Sequence, residues 1–494
     1  MGQTLTTIST MDAEGAALTA LPIAQVVAGQ LYHSLGISNF QYIEHALVGV
    51  STAGKIAFVE ACDNEAAMVE RLAMLQSTWG FDPSAVTVLT KTQFLIPGFV
   101  DTHIHAPQYV FTGTGYDLTL LKWLEKYTFP REAAFGEPEY ALDSFTRVVR
   151  RTLRCGTTTA CYYATTHLEA AKTLADVVAK AGQRAFIGKV NMDRNSPDYY
   201  TETTDESIQA TCDSIDYIRN TLKSSLITPV LTPRFVPTCS SKLMRSLGDL
   251  AVQHGLPIQS HLSETPSEIA WVCELHPECK TYTDVYDEFG LLTEKTIMAH
   301  CVHLNRHERD LLKARGVGIS HCPNSNFCLQ SGMLNLRRLV NEGHSKIGLG
   351  TDCAGGYSPS IMDAMRQAIV TSKVIHVTSR EQAAAHERLN GETSKADPEM
   401  DMTVYDPLTF SEAFYLATLG GAKAMALEHS IGNIVAGKSF DVLLVDLATS
   451  PDSGNSTVDI FKHDDAMSLF EKFIYLGDDR NIKKVFVQGR LVST

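Results

Sequence analysis

LIPGFVDTHIH, residues 95–105, carries two signals at once. It opens as an unbroken apolar run, the pattern of a strand covered on both faces rather than one with a wet side. It closes on His103 and His105, two residues apart, before Ala106-Pro107 stops the run. A strand repeats every two residues, so both imidazoles project from one face at the strand's C-terminal end. A buried pair there reads either as packed core histidines or as ligands to a zinc-like ion, for which imidazole is a common donor.

Similar runs recur downstream at 156–164, 184–190, 226–235, 257–264, 296–301, 316–323 and 346–352, separated by amphipathic stretches of helical length. With 95–105 these make eight strand–helix repeats, which predict a closed (β/α)8 TIM-like barrel over 95–428 rather than an open sheet; a count of seven strands is the alternative. Outside the barrel, 21–94 holds short strand-like pieces such as HALVGVSTAGKIAFVE (45–60), interrupted by a helical stretch at 65–80. IGNIVAGKSFDVLLVD (431–446) and KVFVQGRLV (484–492) have the same character. The reading is an α/β chain whose two ends, 21–94 and 429–494, combine in a small β-sandwich domain. Two polar stretches, 195–207 and 389–402, read as surface loops.

The composition agrees. The chain has 494 residues, 44% of them hydrophobic, enough for a large core. Lys+Arg 42 against Asp+Glu 56 gives a net charge of −14, which disfavours broad binding to nucleic acid or to an anionic membrane. Eleven scattered cysteines, with no CxxC and no leader-like start, read as reduced thiols of a cytoplasmic protein. No apolar stretch approaches the ~18 residues of a membrane span. Gly2 and Thr6 match the loose myristoylation pattern, which short sequences also meet by chance.

Three later runs each stop on a metal-competent side chain: His261 in QSHLSE, His300 in MAHC and Asp352 in GLGTDC. Barrel enzymes build their sites on this rim. Packing histidines and a helix-capping aspartate would need a separate coincidence at each strand end. Nitrogen-rich ligation with one carboxylate suits Zn²⁺, with Fe²⁺ or Mn²⁺ as alternatives.

These motifs resemble the amidohydrolase superfamily over nearly the whole chain. More narrowly, PGFVDTHIHAPQY, LLKWLEKYTFP, GTTTACYYAT, LTPRF, HLSE, HCPNSN, IGLGTDCAGGYS and FIYLGDDRNI closely resemble the animal-type guanine deaminases. The resemblance implies hydrolytic deamination of guanine to xanthine and ammonia by a zinc-bound hydroxide, in purine catabolism, by a homodimer. Binuclear members of the superfamily carry a lysine at the end of the fourth strand; here that place is TPRF, with Arg234, while Lys189 falls on the third strand and reads as structural. One Zn²⁺ per subunit is therefore expected, held by His103, His105, His261 and Asp352.

The same resemblance assigns Glu264, three residues beyond His261, the proton transfer to the ring nitrogen, with Asp352 accepting the water proton and His300 orienting the nucleophile. A carboxyl that donates near pH 7 needs a raised pKa, which burial supplies. Arg234, Phe235 and Gln108 match the family's base-recognition residues. Without the resemblance, Glu264 is equally a carboxylate favoured at a helix start, Arg234 a salt-bridge arginine and Gln108 a loop amide. Trp123 is expected in a helix core rather than in a pocket wall. HLE (167–169) and HPE (276–278) lack the downstream PCxxC of the other zinc deaminase fold. The rival readings are an aminohydrolase of adenine, cytosine or a triazine, and a barrel scaffold that has lost catalysis.

Overall fold

A computed structural model describes residues 21–390, 406–448 and 456–494. Gly2 and Thr6 lie outside these residues, as does most of the 389–402 stretch; Leu389 and Asn390 end the helix Ile361–Asn390.

Five strands precede the barrel: β1 (Ile23–Gly36), β2 (Asn39–Ser51), β3 (Ile56–Ala61), β4 (Val86–Val88) and β5 (Gln93–Pro97). Three follow it: β16 (Val442–Asp446), β17 (Ile482–Val487) and β18 (Arg490–Ser493). They form one sheet ordered β18-β17-β16-β5-β1-β2-β3, with β4 beside β1. The ends of the chain are joined at β5 and β16, antiparallel, with Leu443 opposite Ile96. Val27, Leu31, Val48 and Ile56 from the first half share an apolar cluster with Phe440, Val442, Leu444 and Phe486 from the second. The helix Glu65–Trp79 covers another cluster through Met68 and Leu75.

The run 95–105 is two strands rather than one. Residues up to Pro97 belong to the terminal sheet, and β6 (Phe99–His105) begins the barrel. Gly98 makes the changeover, its N–H donating to the Asp441 carbonyl at 2.9 Å. A Cβ there would sit 2.2 Å from the Thr158 side chain, so the crossing needs glycine.

The remaining barrel strands are β7 (Thr157–Tyr163), β8 (Arg184–Gly188), β9 (Val190–Asn191), β10 (Ile227–Pro229), β11 (Thr232–Pro233), β12 (Ile258–Leu262), β13 (Thr296–His300), β14 (Gly318–His321) and β15 (Ile347–Leu349). Seven of them join β6 in an eight-stranded, all-parallel sheet ordered β10-β8-β7-β6-β15-β14-β13-β12, with β9 and β11 continuing the third and fourth strands as a separate pair. A parallel bridge from Leu231 to Ile258 closes the ring; the Leu231 carbonyl accepts from Gln259 N at 2.9 Å. This is the (β/α)8 barrel. The outer helices are amphipathic: Pro138–Arg154 turns Phe145, Val148, Val149 and Leu153 inward, and leaves Arg147, Arg150, Arg151 and Arg154 outside.

The stretch 195–207 is not simply a surface loop. It contains a short 3-10 turn, Asp198–Tyr200, and the helix Thr204–Asp216 starts within it on a Thr203–Glu206 capping box. Tyr200 is buried.

Candidate active site

The C-terminal rim of the barrel gathers the side chains that end its strands. His103 and His105 rise from β6, His261 from β12 and His300 from β13, while Asp352 follows β15. One ligand atom each from His103, His261, His300 and Asp352 lies within 4.8 Å of the others. His105 joins them, its Nε2 3.1 Å from His261 Nε2 and 3.5 Å from Asp352 Oδ1. His103 Nε2 stands 3.3 Å from the same carboxylate oxygen.

The backbone at these strand ends is held in unusual conformations. Ser263, His300, Cys301 and Asp352 all have positive φ, at 49°, 69°, 53° and 43°. Non-glycine residues in this region carry strain, and strain of this kind concentrates at functional sites. Asp101, earlier on β6, ties the first strand to the last: it accepts from Thr351 N at 3.0 Å, Thr351 Oγ1 at 2.6 Å and His103 N at 3.2 Å.

The nitrogens fit a cation. His261 donates from Nδ1 to the Arg234 carbonyl at 2.6 Å, which leaves Nε2 as a lone pair facing the cluster. His300 meets Asn326 Oδ1 through Nδ1 at 2.9 Å, and its Nε2 has no hydrogen-bond partner. Both ring nitrogens of His103 are buried without a partner. Burial holds the pKa of His105 and His261 well below the ordinary value, and the neighbouring imidazoles add to this. Neutral imidazole is the form that binds metal. Burial opposes ionisation of Asp352, but the facing imidazole of His103 and the charge of His300 outweigh it and hold the carboxyl below its usual range.

Glu264 lies beside this cluster, its Oε2 3.5 Å from His300 Nε2. Ser331 Oγ donates to Oε1 at 2.7 Å. Burial pushes the Glu264 carboxyl up to about 7. Burial also opposes charge on His300, yet the carboxylates of Glu264 and Asp352 hold its pKa above normal. Glu268 locks the turn: it accepts from Glu264 N at 2.9 Å and Thr265 N at 3.2 Å, completing the capping box of the helix Pro266–Leu275.

A cavity opens over these groups. Gln108, Arg234 and Phe235 line it together with His105, His261, Glu264, His300 and Asp352; His103 does not line the cavity but belongs to the same cluster, so the structure brings every site residue expected from the sequence together. Trp123 also lines the cavity, with Leu120 and Leu124, while packing against Phe111; the expectation of a purely core residue is corrected.

Sequence reading missed several supports. Glu132 takes both terminal nitrogens of Arg234, and Tyr200, from the stretch expected to be a loop, donates to it. Only spatial neighbours reveal these roles. Glu268 did leave a signal, the T-x-x-E capping box from Thr265. Lys189 is buried and donates to Glu202 at 2.6 Å. Of the two HxE segments, His276 meets Glu278 at 3.0 Å and His167 meets Thr165 at 3.1 Å, and neither lines the cavity.

Comparison with known proteins places this geometry. The model of the amidohydrolase family matches residues 94–492. The guanine deaminase of Dictyostelium discoideum is 44% identical over 477 residues, covering 96% of this chain and 100% of that protein. The crystal structure of guanine deaminase from C. acetobutylicum with guanine bound in its active site superposes with a TM-score of 0.80 at 35% identity, over 95% of this chain and 100% of that one. An adenosine deaminase from Xanthomonas campestris with bound zinc follows at 25% identity and a TM-score of 0.74, over 95% of this chain and 93% of that one. The chain therefore belongs to the amidohydrolase family and, within it, to the guanine deaminases.

Proposed function

We propose that this chain hydrolyses guanine to xanthine and ammonia, as a purine-catabolic enzyme holding one Zn²⁺ per subunit on His103, His105, His261 and Asp352. The observation that carries the reading is the cavity itself. Gln108 and Arg234, a donor–acceptor pair for a flat polar ring, line it together with Glu264, His300 and Asp352. The metal assignment rests on the partnerless buried nitrogens of His103, the tautomer of His261 and the donor set, which suit a divalent ion that lowers the pKa of a coordinated water.

The protein's own groups supply the rest. Arg234 can donate to the guanine carbonyl, while Phe235, extended and packed edge-on to Trp271 at 6.3 Å, walls the ring. Asp352, held ionised, accepts the proton of the attacking water. His300, fixed by Asn326, orients that water. Glu264 can hold a proton near neutral pH, deliver it to ring nitrogen N3, and assist departure of the amine from C2.

The division into a unit of both chain ends and a barrel follows the sequence rhythm of 21–94, 95–428 and 429–494, with the first boundary moved to Gly98, and the homodimer follows the family resemblance. A cytoplasmic location fits eleven free cysteines. Among the described residues no helix is long and apolar enough to cross a membrane. Small-molecule purine, not nucleic acid or membrane, is the partner that the cavity and the acidic net charge favour.

A panel of guanine, adenine, cytosine and a chlorotriazine, assayed by ammonia or chloride release, tests the assignment. Guanine is expected to exceed the others in kcat/KM by ~10³-fold or more, the discrimination a buried hydrogen-bonding site achieves. Comparable rates on adenine or cytosine would overturn it.

A further inference from the structure

Hydrogen-bonded to the cavity residues Gln108 and Arg234 is a carboxylate that does not itself line the cavity. Glu132 is fully buried, at 0% exposure, and accepts four hydrogen bonds from three residues. Gln108 Nε2 reaches Oε1 at 2.9 Å and Arg234 Nη2 reaches it at 3.2 Å. Arg234 Nη1 reaches Oε2 at 2.7 Å and Tyr200 OH reaches it at 2.8 Å. A carboxylate only accepts, so the amide atom of Gln108 that faces it has to be the nitrogen. The other amide atom, Oε1, is the one left for a ligand, on a residue that lines the cavity.

Charge follows the same logic. A lone guanidinium in a buried pocket would favour an anion. Glu132 cancels that charge in a paired, two-point contact, and Arg234 retains further N–H donors beyond the two engaged. Phe129 closes the other side, with the guanidinium carbon 5.4 Å from its ring centre.

We propose that Glu132 is the positioning residue that sets base specificity: it fixes Gln108 with its acceptor available to the ligand and neutralises Arg234. The pocket then takes a neutral purine edge with a ring N–H beside a carbonyl. It rejects the inverted edge, in which an acceptor nitrogen stands beside an amino group. This inference rests on the guanine reading above and adds to it the residue that enforces the choice.

The test compares guanine with 2,6-diaminopurine, which keeps the 2-amino group and inverts the edge at position 6. Guanine KM and the competitive inhibition constant of 2,6-diaminopurine are measured for the metal-loaded wild type, Glu132→Gln and Tyr200→Phe. Glu132→Gln lets the Gln108 amide turn over. The preference for guanine is expected to fall by about tenfold or more, carried by KM, with metal content unchanged. Tyr200→Phe removes one of the four contacts and is expected to shift the preference the same way by about two- to fivefold. If Glu132→Gln does not fold, Tyr200→Phe decides alone. An unaltered preference in the folded variants, or a fall in kcat alone, would overturn the role of Glu132. A wild type that does not turn over guanine would instead overturn the proposed function.

Discussion

His261 donates from Nδ1 to the main-chain carbonyl of Arg234 across 2.6 Å, so the residue proposed to bind the base also sets the tautomer of an imidazole proposed to bind the metal. The two duties are separable, because one uses the side chain and the other the backbone. Arg234→Lys keeps the carbonyl and a positive charge near Glu132 but loses the planar fork. The expected result is a rise in guanine KM of about tenfold or more with zinc content unchanged, measured by steady-state kinetics and elemental analysis. An unaltered KM would show that the guanidinium does not contact the base.

Glu264→Gln is close to isosteric and keeps an acceptor for Ser331 Oγ. Fold and metal content are expected to persist while kcat falls by about 10²–10⁴-fold, the usual contribution of a positioned acid–base group. Circular dichroism, metal analysis and kcat together check this. Near-normal turnover would remove Glu264 from the proton path.

The same carboxyl gives the metal-stripped protein a pH-dependent stability. Burial raises its pKa from 4.5 to about 7, so between those values the unfolded chain loses the proton before the folded one does. Wild-type stability should therefore fall, relative to Glu264→Gln, as pH rises from 5 to 8, and level off above about 7. At 1.36 kcal/mol per pH unit across that window, the change amounts to about 3 kcal/mol at most. Denaturant melts of both apoproteins at several pH values measure it; parallel curves would contradict it.

Much of this site was legible before the fold. His103, His105, His261, His300 and Asp352 each terminate an apolar run, and in a parallel barrel the ends of such runs share one rim. Strand boundaries were less visible. A continuous apolar run cannot show that Gly98 passes the chain from one sheet to another, because both sheets bury the same residue types. Glu132 and Tyr200 were hidden for a different reason. A charged residue within FPREA, and a tyrosine in a polar stretch, look solvent-facing until the fold sets them 2.8 Å apart behind Arg234. Local pattern reports which face a residue takes, not which distant residue it meets.

His103 has no hydrogen-bond partner for either ring nitrogen, which is the observation behind its proposed place among the metal ligands. His103→Ala is expected to lose the metal while leaving the barrel folded, and chelation of the wild type is expected to lower Tm, since metal binding adds to folding free energy. Mass spectrometry under native conditions and thermal melts with and without chelator follow both. Full metal retention in His103→Ala would move the ligand set elsewhere on the rim.

The most direct test of the whole account is a metal titration of the stripped protein, scored by conversion of guanine to xanthine. Activity is expected to be negligible without metal, to rise linearly with added Zn²⁺, and to reach its plateau at one equivalent per chain. Undiminished turnover in the stripped protein, or a plateau only at two equivalents, would contradict it.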